Sequence, residues 1–285
     1  VDQWTGGTAL ALVVTMATHT YAQQIDRATR PTTPPASSFK FPVIRTHTLA
    51  NGVRLLVVED HSVPVVAVRA IVGVDSTWDP AGKEGLYAVT LGALREGSTA
   101  RSGDDLAGAA ATIGTAVVPT GFTTVSAAFA PALGLMAEML TRPAFDSAGI
   151  ERRKSAQAAA ARRVAQAPVT IPRHLFYESV YGETDPFVRS LVPTEASIRS
   201  ITRADVVRFY DAYVSPRATT LAIAGDVTDS AALDAATRAF GAWPPPREPS
   251  AFDLITATAH RLRTDIYLRD VPGAGEQAYL YVGEL

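Results

Sequence analysis

The stretch Gly85-Leu86-Tyr87-Ala88-Val89-Thr90-Leu91-Gly92-Ala93-Leu94-Arg95-Glu96-Gly97-Ser98 is the most informative in the chain. Leu86, Val89, Ala93 and Leu94 recur at helical spacing, and Gly97 stands where a C-terminal cap belongs, so residues 83–96 are expected to form a helix. Upstream, Asn51-Gly52 marks a tight turn. It is followed by an apolar run over residues 53–58, a polar break at 59–62 and a second apolar run over 63–72. Two β-rich runs joined by a short polar break predict a hairpin. Downstream, residues 104–113 read as a helix, 116–129 as a pair of strands and 131–140 as a helix. An Ala-rich helix over 150–166 ends before Pro168. Thr202 opens a further helix, with Asp205 suited to its first turn. A strand over 219–224 then closes at Gly225-Asp226. The mixed order implies an α+β fold: a mixed, largely antiparallel sheet covered by helices on one face.

Composition narrows the chemistry. Of 285 residues, 47% are hydrophobic and 19% charged, enough for a sizeable core and too apolar for wholesale disorder. Lys and Arg number 26 against 28 Asp and Glu, a near-balance that argues against a dedicated nucleic-acid binder. There is no cysteine, which removes disulfides, thiolate metal sites and cysteine nucleophiles together. The five histidines, His19, His47, His61, His174 and His260, are nowhere closer than 14 residues, so no helical His pair exists to hold zinc.

The N-terminus reads as an export signal. Residues 8–18 are apolar but too short to span a bilayer, and Thr20-Tyr21-Ala22 supplies small residues before a cleavage point at Gln23. Residues 1–22 are thus expected to be a signal peptide, placing the mature protein in the periplasm or otherwise outside the cytoplasm, with no membrane span left after its removal. Residues 23–45, with Pro31, Pro34 and Pro35, suit a tether. The folded domain is expected over residues 46–243, and the prolines at 244, 245, 246 and 249 mark a linker over 244–261. A repeat supports that division. Leu56-Val57-Val58-Glu59-Asp60 leads to Gly73 as Ile266-Tyr267-Leu268-Arg269-Asp270 leads to Gly283, with 13 residues from Asp to Gly both times. Residues 262–285 would then open a truncated second copy of the domain, with a strand over 278–282.

Residues 85–98 resemble the active-site helix of the insulinase, or pitrilysin-like, M16 metallopeptidases. That family writes an inverted zinc motif, H-x-x-E-H, between a Gly-Leu and a later Gly-Thr or Gly-Ser, and the frame stands here as Gly85-Leu86 and Gly97-Ser98. Leu49-Ala50-Asn51-Gly52-Val53 resembles the family's opening L-x-N-G. Residues 198–226 resemble its "I…T-x-x-D-x-x-x-F-Y…Y…P…L-x-I-x-G-D" stretch. Tyr181-Gly182 with Asp185-Pro186-Phe187 resembles Y-G-x-x-H-P-Y, and Asp270-Val271-Pro272-Gly273-Ala274 with Gln277 resembles a turn in the family's second domain.

The catalytic positions depart from the pattern. Where the family places His, Glu and His, this chain has Ala88, Leu91 and Gly92. The third ligand, a Glu on a later helix, falls at or near Ala158, inside an Ala-rich run. None of these side chains can coordinate a metal, so the resemblance implies a non-catalytic member without bound zinc, its former site apolar and close-packed. It further implies heterodimerisation with an active, zinc-bearing M16 peptidase, the two closing a chamber around extended peptides. Peptides would add as a strand to a sheet edge, here residues 116–129, with Thr120, Thr123 and Thr124 as polar neighbours. A structural or assembly subunit and an envelope peptide-binding protein without proteolytic role are the alternatives. Other polar clusters read blandly. His61 beside Asp60 is an exposed turn, and His174 with Tyr177 and Glu178 is surface polarity. Arg152, Arg153, Lys154, Arg162 and Arg163 form a solvated helix face.

Overall fold

The computed structural model describes residues 41–245, 266–270 and 278–283. The chain divides into a unit over Val1–Phe41, of which only Phe41 is described, and a second over Pro42–Leu285, to which everything below belongs. Strand β1 (Arg45–Thr48) leads through the Asn51-Gly52 turn into β2 (Arg54–Glu59), and β3 (Val65–Val72) follows. Helices α1 (Leu86–Ala93) and α2 (Gly103–Thr112) precede β4 (Gly121–Val125), then α3 (Phe129–Thr141) and the long α4 (Ser147–Gln166). Next come α5 (Thr170–Tyr181), α6 (Pro186–Leu191), α7 (Glu195–Arg199) and α8 (Arg203–Tyr213), before β5 (Thr219–Gly225) and α9 (Asp229–Phe240).

The strands form a sheet in the order β1-β2-β5-β3-β4. Only the β2–β5 pair is parallel; β1–β2, β3–β5 and β3–β4 are antiparallel, so the largely antiparallel expectation holds. The expected β2–β3 hairpin does not form, because β5 lies between the two strands. Their connection must therefore cross two strand spacings, roughly 10 Å, and the polar break spans that gap instead of making a tight turn. Alternation sets the two faces. Leu55, Val57, Val66, Val68, Leu221 and Ile223 are buried on one side, whereas Ile71 and Val125 on the other are more than half exposed. The buried side receives helices, with α9 against β2 and α3 against β4. Burying that side of each strand contributes on the order of 25 cal/mol per Å² of apolar surface.

Two further expectations change. Residues 116–129 hold one strand rather than two, β4, followed by a single 3-10 turn over Ser126–Ala128. Helix α1 stops at Ala93, not Glu96. The amides of Arg95 and Glu96 donate three residues back, to Gly92 (3.2 Å) and Ala93 (3.0 Å), which tightens the last turn and ends the α-helix. Residues 266–270 and 278–283 pair with no strand of the sheet. Instead, the Tyr281 ring lies 5.1 Å from that of Phe176 on α5, and its hydroxyl is 3.2 Å from that of Tyr177. The other residues of the suggested second copy, the signal segment, and most of both linkers lie outside the described residues.

Gly225 ends β5 where three chain segments meet. Its carbonyl accepts from Asp60 (2.9 Å), while the next amide, Asp226, donates to Val65 (3.0 Å). Its φ is +131°, and a Cβ there would stand 2.1 Å from the Val65 carbonyl oxygen. Neither backbone conformation nor space admits a side chain. Gly225→Ala should therefore lower unfolding stability by roughly 3 kcal/mol, read as an earlier midpoint in urea denaturation. An unchanged midpoint would mean that this junction is not under the constraint described.

Candidate functional site

Helix α1 is fixed at its start by a borrowed carboxylate. Gly85, its N-cap, has no side chain to offer, so Asp79 accepts from the amides of Gly85 and Tyr87, each at 2.7 Å. Gly85 takes φ +101°, and a Cβ on it would stand 2.9 Å from Ile198 Cγ1. Helices α7 and α6 are held to the same point: Ser197 Oγ of α7 donates to the Glu84 carbonyl (2.9 Å), and Arg189 Nη1 of α6 pairs with the Glu84 carboxylate at 2.6 Å. At the other end of the frame, Ser98 Oγ donates to the buried Glu138 (2.6 Å) and accepts from the amides of Ala100 (3.1 Å) and Arg101 (2.9 Å). Both halves of the retained frame therefore have structural work that needs no metal.

Between them stand the motif positions. Ala88 and Gly92 lie one turn apart on α1, and they and Leu91 are half-buried. Helix α4 packs on α1, and its Ala158, at the third-ligand position, is buried. None of the four offers a donor atom. The space beside Gly92 is taken by Arg153, whose Cδ would be 3.0 Å from a Cβ at that position. The Arg153 guanidinium reaches on to Glu96 Oε1, and Arg152 holds Oε2 through Nε (2.9 Å) and Nη2 (2.6 Å). The Glu96 side chain is only 8% exposed, so two cations neutralise a nearly enclosed carboxylate. The expected apolar filling is thus corrected: an arginine stem and its ion pair lie beside Gly92. A guanidinium here would repel a divalent cation, and these residues do not fit zinc. Among the described residues no cluster of three His, Asp or Glu could hold a metal elsewhere.

The other sequence candidates separate. Lys154 pairs with Glu151 (2.8 Å) and Arg162 with Glu195 (2.9 Å), so the basic face of α4 is largely neutralised. His61 turns from Asp60 to Asp226, its Nδ1 2.7 Å from Oδ1, and Ser126 Oγ donates to the other Asp226 oxygen at 2.6 Å. The Asp226 hydrogen bond raises the His61 pKa from its ordinary value, while the bonds from Ser126 and His61 lower that of Asp226. His174 on α5 has a buried Nδ1 without a hydrogen-bond partner, and Tyr177 faces Tyr281 instead of completing a ligand set.

Strand β4 does lie at a sheet edge. The amide of Ala70 donates to the Thr120 carbonyl (3.0 Å) and that of Ser126 to Pro64 (3.1 Å). Antiparallel alternation then turns the main-chain groups of Phe122 and Thr124 inward to β3, and those of Gly121, Thr123 and Val125 outward. Gly121 is already engaged by Val118 in both directions (3.0 and 3.1 Å), and Thr115 Oγ1 donates to the Thr123 carbonyl at 2.9 Å. The edge left for an incoming strand is the amides of Thr123 and Val125, since the Val125 carbonyl caps the 3-10 turn over Ser126–Ala128. Of the three threonines, only Thr123 presents its main chain there. Thr120 is exposed, and Thr124 is buried with its hydroxyl unpartnered.

Sequence reasoning did not find Asp79, Glu96 or the role of Arg153. Only the Gly92 gap beside a basic helix could have hinted at the last.

A five-stranded α+β sheet with helices on one side and this helix frame is the fold of the M16 peptidases. Residues 200–284 match the family model described as the peptidase M16 inactive domain. The structure is similar to a protease from Helicobacter pylori (17% identity, TM-score 0.68), covering 77% of this chain and 55% of that one. It is similar to a peptidase M16 inactive domain from Pseudomonas fluorescens (23%, TM-score 0.65), covering 76% of this chain and 54% of that one. It also resembles the periplasmic protease PqqL from Escherichia coli (12%, TM-score 0.65), covering 75% of this chain and 25% of that one. The chain therefore spans about half the length, or less, of these relatives. No curated protein matches the sequence.

Burial pushes the Asp79 carboxyl up to about 6 from 3.8, against the pull of the Tyr87 and Gly85 amides. Because the folded value lies above the ordinary one, the folded protein holds this proton more tightly than the unfolded chain does. Its contribution to stability is full below about pH 4 and is lost as pH rises to about 6. Asp79→Asn, which has no such proton, should flatten the decline of stability across that window. Urea midpoints of both proteins at a series of pH values would show it, and parallel curves would rule out Asp79 as the cause.

Proposed function

We propose that this chain is a non-catalytic M16-type subunit that pairs with an active, zinc-bearing M16 peptidase and helps enclose extended peptides for degradation or processing. The observation that carries the reading is the occupancy of the motif: Ala88, Leu91 and Gly92 on α1, Ala158 on α4, and Arg153 lying across Gly92 toward Glu96. A catalytic zinc needs about three protein ligands and an open position for water, and none of the four positions supplies a donor atom. The description of the model matched at residues 200–284 supports the same reading. In this proposal the chain needs no cofactor of its own. Zinc belongs to the partner, and this chain contributes wall and peptide contacts, among them the open part of the β4 edge.

The purified protein alone is expected to contain no stoichiometric zinc and to cleave no peptide. Mixing it with an M16 peptidase that carries an intact H-x-x-E-H motif from the same genome should give chelator-sensitive cleavage exceeding that of the peptidase alone. Elemental analysis and a fluorogenic peptide assay decide it: zinc and cleavage by the lone chain would refute the reading. Gly92→His should not restore metal, since the imidazole would meet Arg153.

Export is part of the same proposal, supported by residues 8–22 and by the periplasmic location that PqqL's description gives that protein. N-terminal sequencing of the protein recovered from its native cells should begin near Gln23. A cytoplasmic form retaining residues 1–22 would sink it.

A further inference from the structure

Arg69 is the one charged residue in the apolar run of β3, and it stands in register with Gly121 of the edge strand β4. It lies on the more exposed face of the sheet, with Thr123. Its Nη1 donates to the carbonyls of Val68 (2.9 Å) and Phe122 (3.3 Å), and among the described residues no carboxylate pairs with it. A Cβ on Gly121 would come within 3.0 Å of both Cδ and Nη1 of Arg69. The missing side chain thus leaves room for this guanidinium beside Gly121, on the face of the sheet above the β3–β4 pair. There it helps line a pocket of about 330 Å³ with Val118, Thr120, Gly121, Phe122 and Thr123. Arg69 is the only charged group in that lining.

We infer that this pocket is a subsite for an acidic side chain, Asp or Glu, of an extended peptide paired along β4, and that Arg69 selects it. The inference rests on the peptide-binding reading of β4 given above. A residue of an added strand opposite Thr123 points its side chain to the same face as Thr123, about 4.8 Å from the β4 backbone. That turns its carboxylate toward the pocket that Thr123 and the Arg69 guanidinium line together. Nε and Nη2 of Arg69 have no partner among the described residues and give the donors for it. A lysine at the same peptide position would meet like charge.

The test uses the full chain and short labelled peptides of alternating Thr and Val carrying one central Glu, Gln or Lys, with binding followed by fluorescence anisotropy. The Glu peptide should bind about tenfold more tightly than the Gln peptide, the Lys peptide more weakly than either, and the gap should narrow at high salt. Arg69→Gln should bring Glu and Gln peptides together without weakening the Gln peptide. Arg69→Lys, which keeps the charge but not the fork, should retain part of the preference. A Glu peptide N-methylated at alternate residues should not bind, because it cannot pair with the edge. If wild-type protein shows no Glu preference, or Arg69→Gln retains it, the inference is overturned while peptide binding stands. If no peptide binds, or the N-methylated peptide binds as well as its parent, the edge-pairing reading itself fails.

Discussion

The sheet exists because β5 inserts between β2 and β3, and almost every other feature follows from that one placement. β2 and β3 are close in sequence but cannot pair; each instead pairs with a strand that arrives after eight intervening helices among the described residues. The insertion brings Asp226 at the end of β5 to His61 in the β2–β3 connection, across 165 residues of sequence. It also forces Val65 and Gly225 into a contact only glycine allows. Such long-range pairing means that the sheet cannot be completed locally.

Within that frame, the α1–α4 contact is a packing contact at the positions where the family motif would stand. A helix carrying zinc ligands must keep a polar, partly open face toward the helix supplying the third ligand. Here that face presents Ala88 and Gly92, and the opposing helix answers with the stem of Arg153. The charge that would sit in such a site is replaced by its opposite arrangement: a buried carboxylate, Glu96, with two guanidiniums around it. Breaking such a cluster would leave a nearly enclosed charge without a partner, so the cluster itself now holds α1 and α4 in register.

The sequence makes some levels of this structure readable and hides others, for physical reasons. Strand and helix positions follow from local periodicity, and the Thr202–Asp205 capping box is visible as two residues at fixed spacing. Helix α9 is hard to read because its buried stripe before Phe240 is alanine only, Ala232, Ala235 and Ala236, which carry a weaker signal than Leu or Val would. Strand order was misread because a short polar connection looks the same whether it turns tightly or crosses a neighbouring strand. At the candidate site, the vacancy at Ala88, Leu91, Gly92 and Ala158 was legible from residue chemistry alone. What fills it was not: Glu96 meets Arg152 and Arg153 only because α4 returns across α1.

The frame around the motif positions has a mechanical explanation. Gly85 is needed for a left-handed turn against Ile198, and Ser98 for a buried hydrogen bond to Glu138. Neither depends on a metal, so removing the ligands leaves both constraints in force. The ligand positions carry no comparable backbone or packing demand and accept whatever fills the volume. The architecture around α1 therefore stands on backbone and packing constraints of its own, independent of which side chains occupy positions 88, 91 and 92.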